Sequence, residues 1–292
     1  MYELIQVSPR DYYVDCPTKV GLIRVSDTDV IAVDGGSDKD AGRKVLRAIQ
    51  ANGWRLTAIY NTHAHADHIG GNAYLQAQTG CKIYAAGMEC DNVNHPLWEP
   101  SLLYGGFPPT GLRHKFLMAQ PSSAEPLTAE ALPEDVQTLP LPGHSWEMVG
   151  FLTSDGTAYL ADCVSSEETL RKYGVGYLWD VEAHLNTLEA VKGMKAATFV
   201  PAHAPVTDDI APLAQFNIDA VRSTGDTILE LCGNGRTFEE ILGGLFEKSG
   251  AQMNLQQYAL TGSTLRSYLA WLEKQGRVRF EFADNRMLWL KN

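Results

Sequence analysis

His63-Ala64-His65-Ala66-Asp67-His68 places three imidazoles and one carboxylate within six residues. The stretch follows Leu56-Thr57-Ala58-Ile59-Tyr60, an apolar run that reads as a buried strand. It precedes Ile69-Gly70-Gly71-Asn72, where a helical pattern opens. The cluster therefore lies on the loop between the C-terminal end of a strand and a helix, a position where a rigid scaffold presents chemistry. Imidazole and carboxylate without thiolate suit a divalent transition metal. In extended chain His63 and His65 point to the same side, because side chains alternate with period two. Asp67 and His68 lie past the bend and face elsewhere. A single ion leaves at least one of the four groups idle, whereas two ions employ them all.

The bulk properties narrow the setting. A chain of 292 residues is long enough for one large domain or two smaller ones. No apolar run reaches the roughly 18 residues of a membrane span, and Met1-Tyr2-Glu3-Leu4 lacks the basic and then apolar regions of a signal peptide. The five cysteines (Cys16, Cys81, Cys90, Cys163, Cys232) are scattered and odd in number. A reducing, cytoplasmic compartment without membrane association is expected. Net charge is −11, with 15 Lys and Arg against 27 Asp and Glu over residues 1–220, and 9 against 8 over residues 221–292. Such an acidic larger part is poorly suited to a polyanionic substrate, whose binding rests on basic neutralisation.

Short strands at Leu4–Val7, Val20–Val25 and Val30–Val33 open the chain, followed by an amphipathic helix from Asp40 to Ala51. Beyond the cluster, a helix over Ala73–Thr79 and a strand over Lys82–Ala86 continue an α/β alternation. Residues 89–135 break that rhythm with aromatic and proline residues, and are expected to form a lid-like insertion. Tyr104, Phe107 and Phe116 from this stretch, with Tyr177 and Trp179 further on, are the candidates for a substrate pocket. Strands resume at Val136–Leu141, Val149–Thr153, Thr157–Cys163 and Thr198–Val200, with a helix at Val181–Lys192. His144, Asp162 and His203 each follow an apolar stretch, the position the first cluster also takes.

Taken together, these residues resemble the metallo-β-lactamase-fold hydrolases across roughly residues 1–215. The resemblance is carried by HxHxDH at 63–68, Gly143-His144, Asp162 after a strand and His203 after a strand. It implies an αββα sandwich in which His63, His65 and His144 hold one ion, Asp67, His68 and His203 hold another, and Asp162 bridges them. Zinc is the first expectation for both ions, with iron or manganese compatible with the same donors. The resemblance is specific for fold and metal, and much less so for substrate. Ala161 stands where many members have glycine, and Ser165 where lactonases of the family have a nearby tyrosine. Cys163 is expected on the opposite face of its strand, as a core thiol.

Asp34, at another strand end, is a candidate to orient a ligand imidazole from behind. His95, His114 and His184 are read as surface or packed residues. A metal pair about 3.5–4 Å apart lowers the pKa of a bridging water towards neutrality, which makes hydroxide attack the expected reaction. Asp67 is a candidate proton shuttle as well as a ligand.

From Asp219 the pattern becomes helical. Helices are expected at Asp219–Cys232, from the capping box Thr237-Phe238-Glu239-Glu240 to about Lys248, and at Ser263–Gln275, followed by a ribbon at Arg277–Phe282 and Arg286–Leu290. Three helices and a hairpin over 219–292 resemble a winged-helix domain. Its near-neutral charge disfavours nucleic acid as a partner. Self-association is compatible with the sequence. The expected activity is hydrolysis of a small carbonyl substrate, an ester, thioester or lactone. A phosphodiesterase or nuclease on the same centre is the alternative, and a metal-dependent DNA-binding regulator ranks below it.

Overall fold

A computed structural model describes residues 2–292 of the chain. The N-terminal part builds one sheet whose strands follow sequence order: β1 (Glu3–Gln6), β2 (Asp11–Asp15), β3 (Val20–Arg24), β4 (Asp29–Val33), β5 (Arg55–Tyr60), β6 (Lys82–Ala85) and β7 (Ala124–Pro126). Strands β1 to β4 pair antiparallel, and β5, β6 and β7 join in parallel. Parallel joins need long crossovers. These contain α1 (Lys39–Ala51), α2 (Ala66–Ile69), α3 (Asn72–Thr79), α4 (Gly87–Asn94) and α5 (Trp98–Tyr104). The sequence dictates α1 in detail. Asp38 accepts a hydrogen bond from the Ala41 N–H at its start, Val45, Leu46 and Ile49 form its buried face, and Asn52-Gly53 ends it.

A second sheet runs in the order β11, β10, β9, β8, from β8 (Val136–Pro140), β9 (Val149–Thr153), β10 (Thr157–Ser165) and β11 (Thr198–His203). The first three of these meander antiparallel. Strand β11 returns parallel to β10 after α6 (Glu167–Tyr173) and α7 (Val181–Lys192). The two sheets pack face to face through Tyr13, Ile23, Val33 and Tyr60 on one side and Val149, Phe151, Tyr159 and Val200 on the other. A fully buried side chain such as Phe151 contributes roughly 1.5–3 kcal/mol through removal from water. The outer face of the first sheet is covered by Val45 and Ile49 of α1 and Leu75 of α3. Leu188 and Val191 of α7 and Ile218 of α8 (Ala211–Cys232) cover the outer face of the second. The layers therefore run helix, sheet, sheet, helix.

Several elements differ from the expectation. Strand β2 is not among the expected strands: its apolar run is only Tyr12-Tyr13-Val14, between Asp11 and Asp15. Helix α8 begins at Ala211, so the boundary expected between residues 215 and 219 falls inside a helix. Helix α10 (Leu255–Lys274) starts at the Asn254 cap, well before Ser263. With α9 (Phe238–Ser249) and the ribbon of β12 (Val278–Ala283) and β13 (Arg286–Lys291), it completes the C-terminal region. One apolar cluster runs from Leu160 and Phe199 of the second sheet to Leu242, Leu265, Leu269 and Val278, so the C-terminal helices share the core of the second sheet. The stretch 89–135 is also more regular than expected. Helix α4 packs on β6 and β7, β7 extends the first sheet, and Leu103, Leu112 and Leu117 pack on Ala259 of α10.

Candidate metal centre

Strand ends from both sheets converge on one edge of the sandwich. His63, His65 and Asp67 follow β5, Asp162 lies in β10 and His203 ends β11. His144 sits on the loop between β8 and β9. The Nε2 of His63 and the Nε2 of His144 each lie 3.0 Å from the Nδ1 of His65. On the other side, the Nε2 of His203 lies 3.2 Å from one oxygen each of Asp67 and Asp162. The Nε2 of His68 is 3.0 Å from Oδ1 of Asp162. Oδ2 of Asp162 also stands 3.5 Å from Nε2 of His144, so this carboxylate touches both groups.

The remaining ring nitrogens decide the tautomers. His68 Nδ1–H donates to Oδ2 of Asp34 at 2.7 Å. His144 Nδ1–H donates to the Tyr177 carbonyl at 3.1 Å, and His203 Nδ1–H to the Pro17 carbonyl at 3.2 Å. The Thr62 hydroxyl donates to Asp34 at 2.9 Å and is thereby left to accept from His63 Nδ1–H at 3.0 Å. In the neutral rings of His63 and His144 Nε2 therefore carries the lone pair, while His68 and His203 present Nε2 towards the carboxylates. Lone pairs of His63 and His144 thus converge on His65 Nδ1, which has at most one proton to share. Nε2 of His68 and Oδ1 of Asp162 are both buried without an aligned hydrogen bond despite their proximity. A divalent cation satisfies such converging lone pairs, and three groups of side chains have the reach: His63, His65 and His144; His63, His68 and Asp162; Asp67, His68 and His203. The donor set fits a divalent metal.

The two sides differ electrostatically. Burial holds His63 well below the usual imidazole range and brings His65 down to about 4 and His144 to about 3. Burial acts in the same direction on His68 and His203, but the surrounding carboxylates outweigh it. Asp162, Asp67 and Asp34 hold His68 well above its ordinary value, and Asp162 and Asp67 take His203 to about 10. The carboxyls of Asp67 and Asp162 are pushed up by burial and pulled down further by His68 and His203, so both rest below the usual carboxylate range.

Asp34 receives the Thr62 N–H at 2.8 Å in addition to the Thr62 hydroxyl and His68, and its backbone is left-handed (φ 68°). Ala161 is left-handed as well (φ 49°), beside register shifts between β10 and β11. This bend precedes Asp162, and it explains why glycine is the easier residue there. Cys163 is buried in the core cluster of the second sheet, with burial pushing its thiol up.

The aromatic candidates separate. The Tyr177 ring stands 5.1 Å from His65 and 5.7 Å from His144, and Trp179 packs on Trp146 at 5.7 Å. Tyr104, Phe107 and Phe116 are 46, 72 and 61 % exposed, with Phe107 beneath Arg113 and Phe116 beneath Lys115. Their place is the solvent side of the insertion, because its inner face is already filled by Leu103, Leu112 and Leu117. His95 lies beside Trp98 and His114 beside Phe116, while His184 is buried in α7. Three further contributors had no signal in the sequence. Thr18 donates to Oδ2 of Asp67 at 3.0 Å, Thr62 links His63 to Asp34, and Glu89 accepts from the Ala64 N–H at 3.0 Å. Each lies far along the chain from at least one of its partners, or is an ordinary threonine whose role depends on packing.

A family model described as Metallo-beta-lactamase superfamily matches residues 13–203. A hydroxyacylglutathione hydrolase from Methylococcus capsulatus is 30 % identical over 158 residues, which is 53 % of this chain and 51 % of that protein. The chain thus aligns with about half of that relative's length. A hydroxyacylglutathione hydrolase from Rhodospirillum rubrum is 44 % identical over 62 residues, 21 % of this chain and 23 % of the relative. Among solved structures, a metallo-beta-lactamase family protein from Thermus thermophilus superposes with TM-score 0.72 at 17 % identity, covering 99 % of this chain and 97 % of the other. A beta-lactamase domain protein from Burkholderia ambifaria gives TM-score 0.70 at 16 % identity, covering 99 % and 94 %. These two similarities speak for the fold.

Proposed function

The chain belongs to the metallo-β-lactamase superfamily, and from that premise we propose that it is a dinuclear hydrolase of a small thioester or related carbonyl ester. Relatives named hydroxyacylglutathione hydrolase support hydrolysis and favour a thioester among the carbonyl substrates. The observation that carries two ions is Asp162, whose oxygens stand within 3.5 Å of His144 on one side and of His68 and His203 on the other. His63, His65 and His144 would hold one ion, and Asp67, His68 and His203 the other. Zinc is the first choice for both. Bound divalent ions supply an activated water and polarise the substrate carbonyl.

The chain's own residues do the rest. Asp34, the Tyr177 carbonyl and the Pro17 carbonyl fix the orientation of His68, His144 and His203. Asp67 is held as a carboxylate by His68 and His203, with Thr18 donating to it. In that state it can ligate an ion and orient the attacking water by accepting a hydrogen bond from it. A role as proton shuttle requires bound metal to displace the protons of His68 and His203. The Tyr177 ring stands beside the first group of ligands, nearly perpendicular to His65 and His144, and offers an aromatic wall suited to an uncharged acyl portion. No helix among the described residues is long and apolar enough to cross a membrane. The five free cysteines support a reducing, cytoplasmic setting. We read α8, α9, α10 and the β12–β13 ribbon as a winged-helix-like element with a structural role, since it shares the core of the second sheet.

The test is a turnover panel with the zinc-loaded protein. Aryl and hydroxyacyl thioesters should be hydrolysed at least about tenfold faster than bis-p-nitrophenyl phosphate or RNA. The reverse order would transfer the assignment to phosphoryl chemistry.

A further inference from the structure

Helix α4 leaves the first sheet behind the two loops that carry the first group of imidazoles. Glu89, in its first turn, is fully buried. Its Oε2 accepts from the N–H of Ala64 at 3.0 Å, the residue between His63 and His65. Its Oε1 accepts from the Ser145 hydroxyl at 2.6 Å and from the Glu147 N–H at 3.1 Å, just after His144. One carboxylate therefore ties together the loops bearing His63, His65 and His144. The contact is reciprocal, because Oε2 of Glu147 accepts from the Met88 N–H at 2.5 Å at the start of α4. Gly87 makes room for it. Its φ is 37°, and a Cβ at that position would collide with the Glu147 carboxylate.

Burial pushes the Glu89 carboxyl up, and the three donors oppose that shift. A buried carboxylate is costly unless its bonds are needed. Three inward-pointing donors need an acceptor on both oxygens, which a glutamine cannot supply.

We infer that Glu89 is a positioning residue for the first ion, setting the spacing between the 63–65 loop and the 144–147 loop so that three ring nitrogens converge. It touches neither ion nor substrate and acts through the backbone of Ala64 and Glu147. The inference rests on the metal-centre reading above.

Glu89→Gln, Glu89→Asp and Ser145→Ala test it, with zinc affinity measured by chelator competition and kinetics in parallel. In E89Q the amide group faces a donor. One zinc per chain should bind about 10–100-fold more weakly, and the other should stay within about threefold. kcat should fall with KM changed by less than about twofold. S145A, which removes one bond of the three, should shift the same zinc by less. E89D keeps the charge with shorter reach and should recover part of the affinity. An E89Q protein that melts earlier but keeps both zinc affinities and kcat would reduce Glu89 to scaffolding and overturn the inference. If E89Q does not fold, unchanged zinc affinity in S145A overturns it equally. A parent protein that binds no zinc overturns the metal-centre reading and this inference with it, and is recognised before any variant is made.

Discussion

The two halves of the centre use the same residue types to opposite electrostatic effect. His63, His65 and His144 face one another in a buried site, and all three are held below the ordinary imidazole range. His68 and His203 stand beside Asp67 and Asp162, with Asp34 also on His68, and these carboxylates hold both imidazoles above it. The first half presents lone pairs and needs to lose almost nothing to accept a cation. The second half is an internally neutralised network that must give up protons. The difference follows the carboxylates: Asp34 and Asp67 stand on the second side, and Asp162, which touches both, lies nearer His68 and His203 (3.0 and 3.2 Å) than His144 (3.5 Å).

Breaking the link between the halves should have the largest effect. Asp162→Ala removes a side chain that approaches His144, His68 and His203 together. It should lower kcat/KM by about 10³-fold, equivalent to several kcal/mol of lost charge stabilisation. Loss of less than about tenfold would show that the halves work independently. Asp34→Asn comes next. It replaces the acceptor of His68 directly and reaches His63 only through Thr62. The expected loss is roughly 10–100-fold in affinity, falling more on the zinc held by the second half, and equal losses at both would erase the asymmetry.

The metal-free protein sharpens the comparison by pH. His65 and His144, with pKa lowered to about 4 and about 3, favour folding above the ordinary value of about 6.5. That contribution is lost as pH falls from there towards their folded values. His203, raised to about 10, works in the other sense. Its contribution is complete below about 6.5 and is lost as pH rises towards its folded value. Thermal unfolding of chelator-treated protein should therefore peak near neutrality and drop by roughly 5 °C or more on either side. A monotonic profile would contradict the assignment of opposite shifts. The smallest effect belongs to Ala161→Gly. Relief of the left-handed backbone, about 1–2 kcal/mol, is offset by loss of a buried methyl group of about 0.8 kcal/mol. The net change in stability should stay below roughly 1 kcal/mol, while a large loss would show that the methyl group has a packing role of its own.

Much of the candidate centre was legible because imidazoles and carboxylates, the donors a divalent metal takes, sit at strand ends. His63 to His68 are adjacent, and His144, Asp162 and His203 each close an apolar run, so type and position spoke together. The architecture was legible in a similar way, through the helical period of α1 and the apolar runs of β5, β9 and β10. Glu89 was not, because a buried glutamate with three backbone or hydroxyl donors looks in sequence like any helical glutamate. Helix α10 begins eight residues before the expected Ser263. Gly262 interrupts its sequence pattern, whereas in the fold that glycine is buried in the helix, beside Phe238 and Arg266. The extent of α8 was hidden by Pro212, which is compatible with the first turn of a helix. Tyr104, Phe107 and Phe116 share an aromatic character with Tyr177, but only packing against α10 decides which of these rings turns towards the ligands.

The central claim is that one carboxylate joins two ion sites of unlike charge. Native mass spectrometry of the metal-stripped chain during zinc titration tests it most directly. Two zinc ions per chain should bind in the parent, and in Asp162→Ala at most one should remain at the same free zinc. Saturation of the parent at one ion or none would contradict the account.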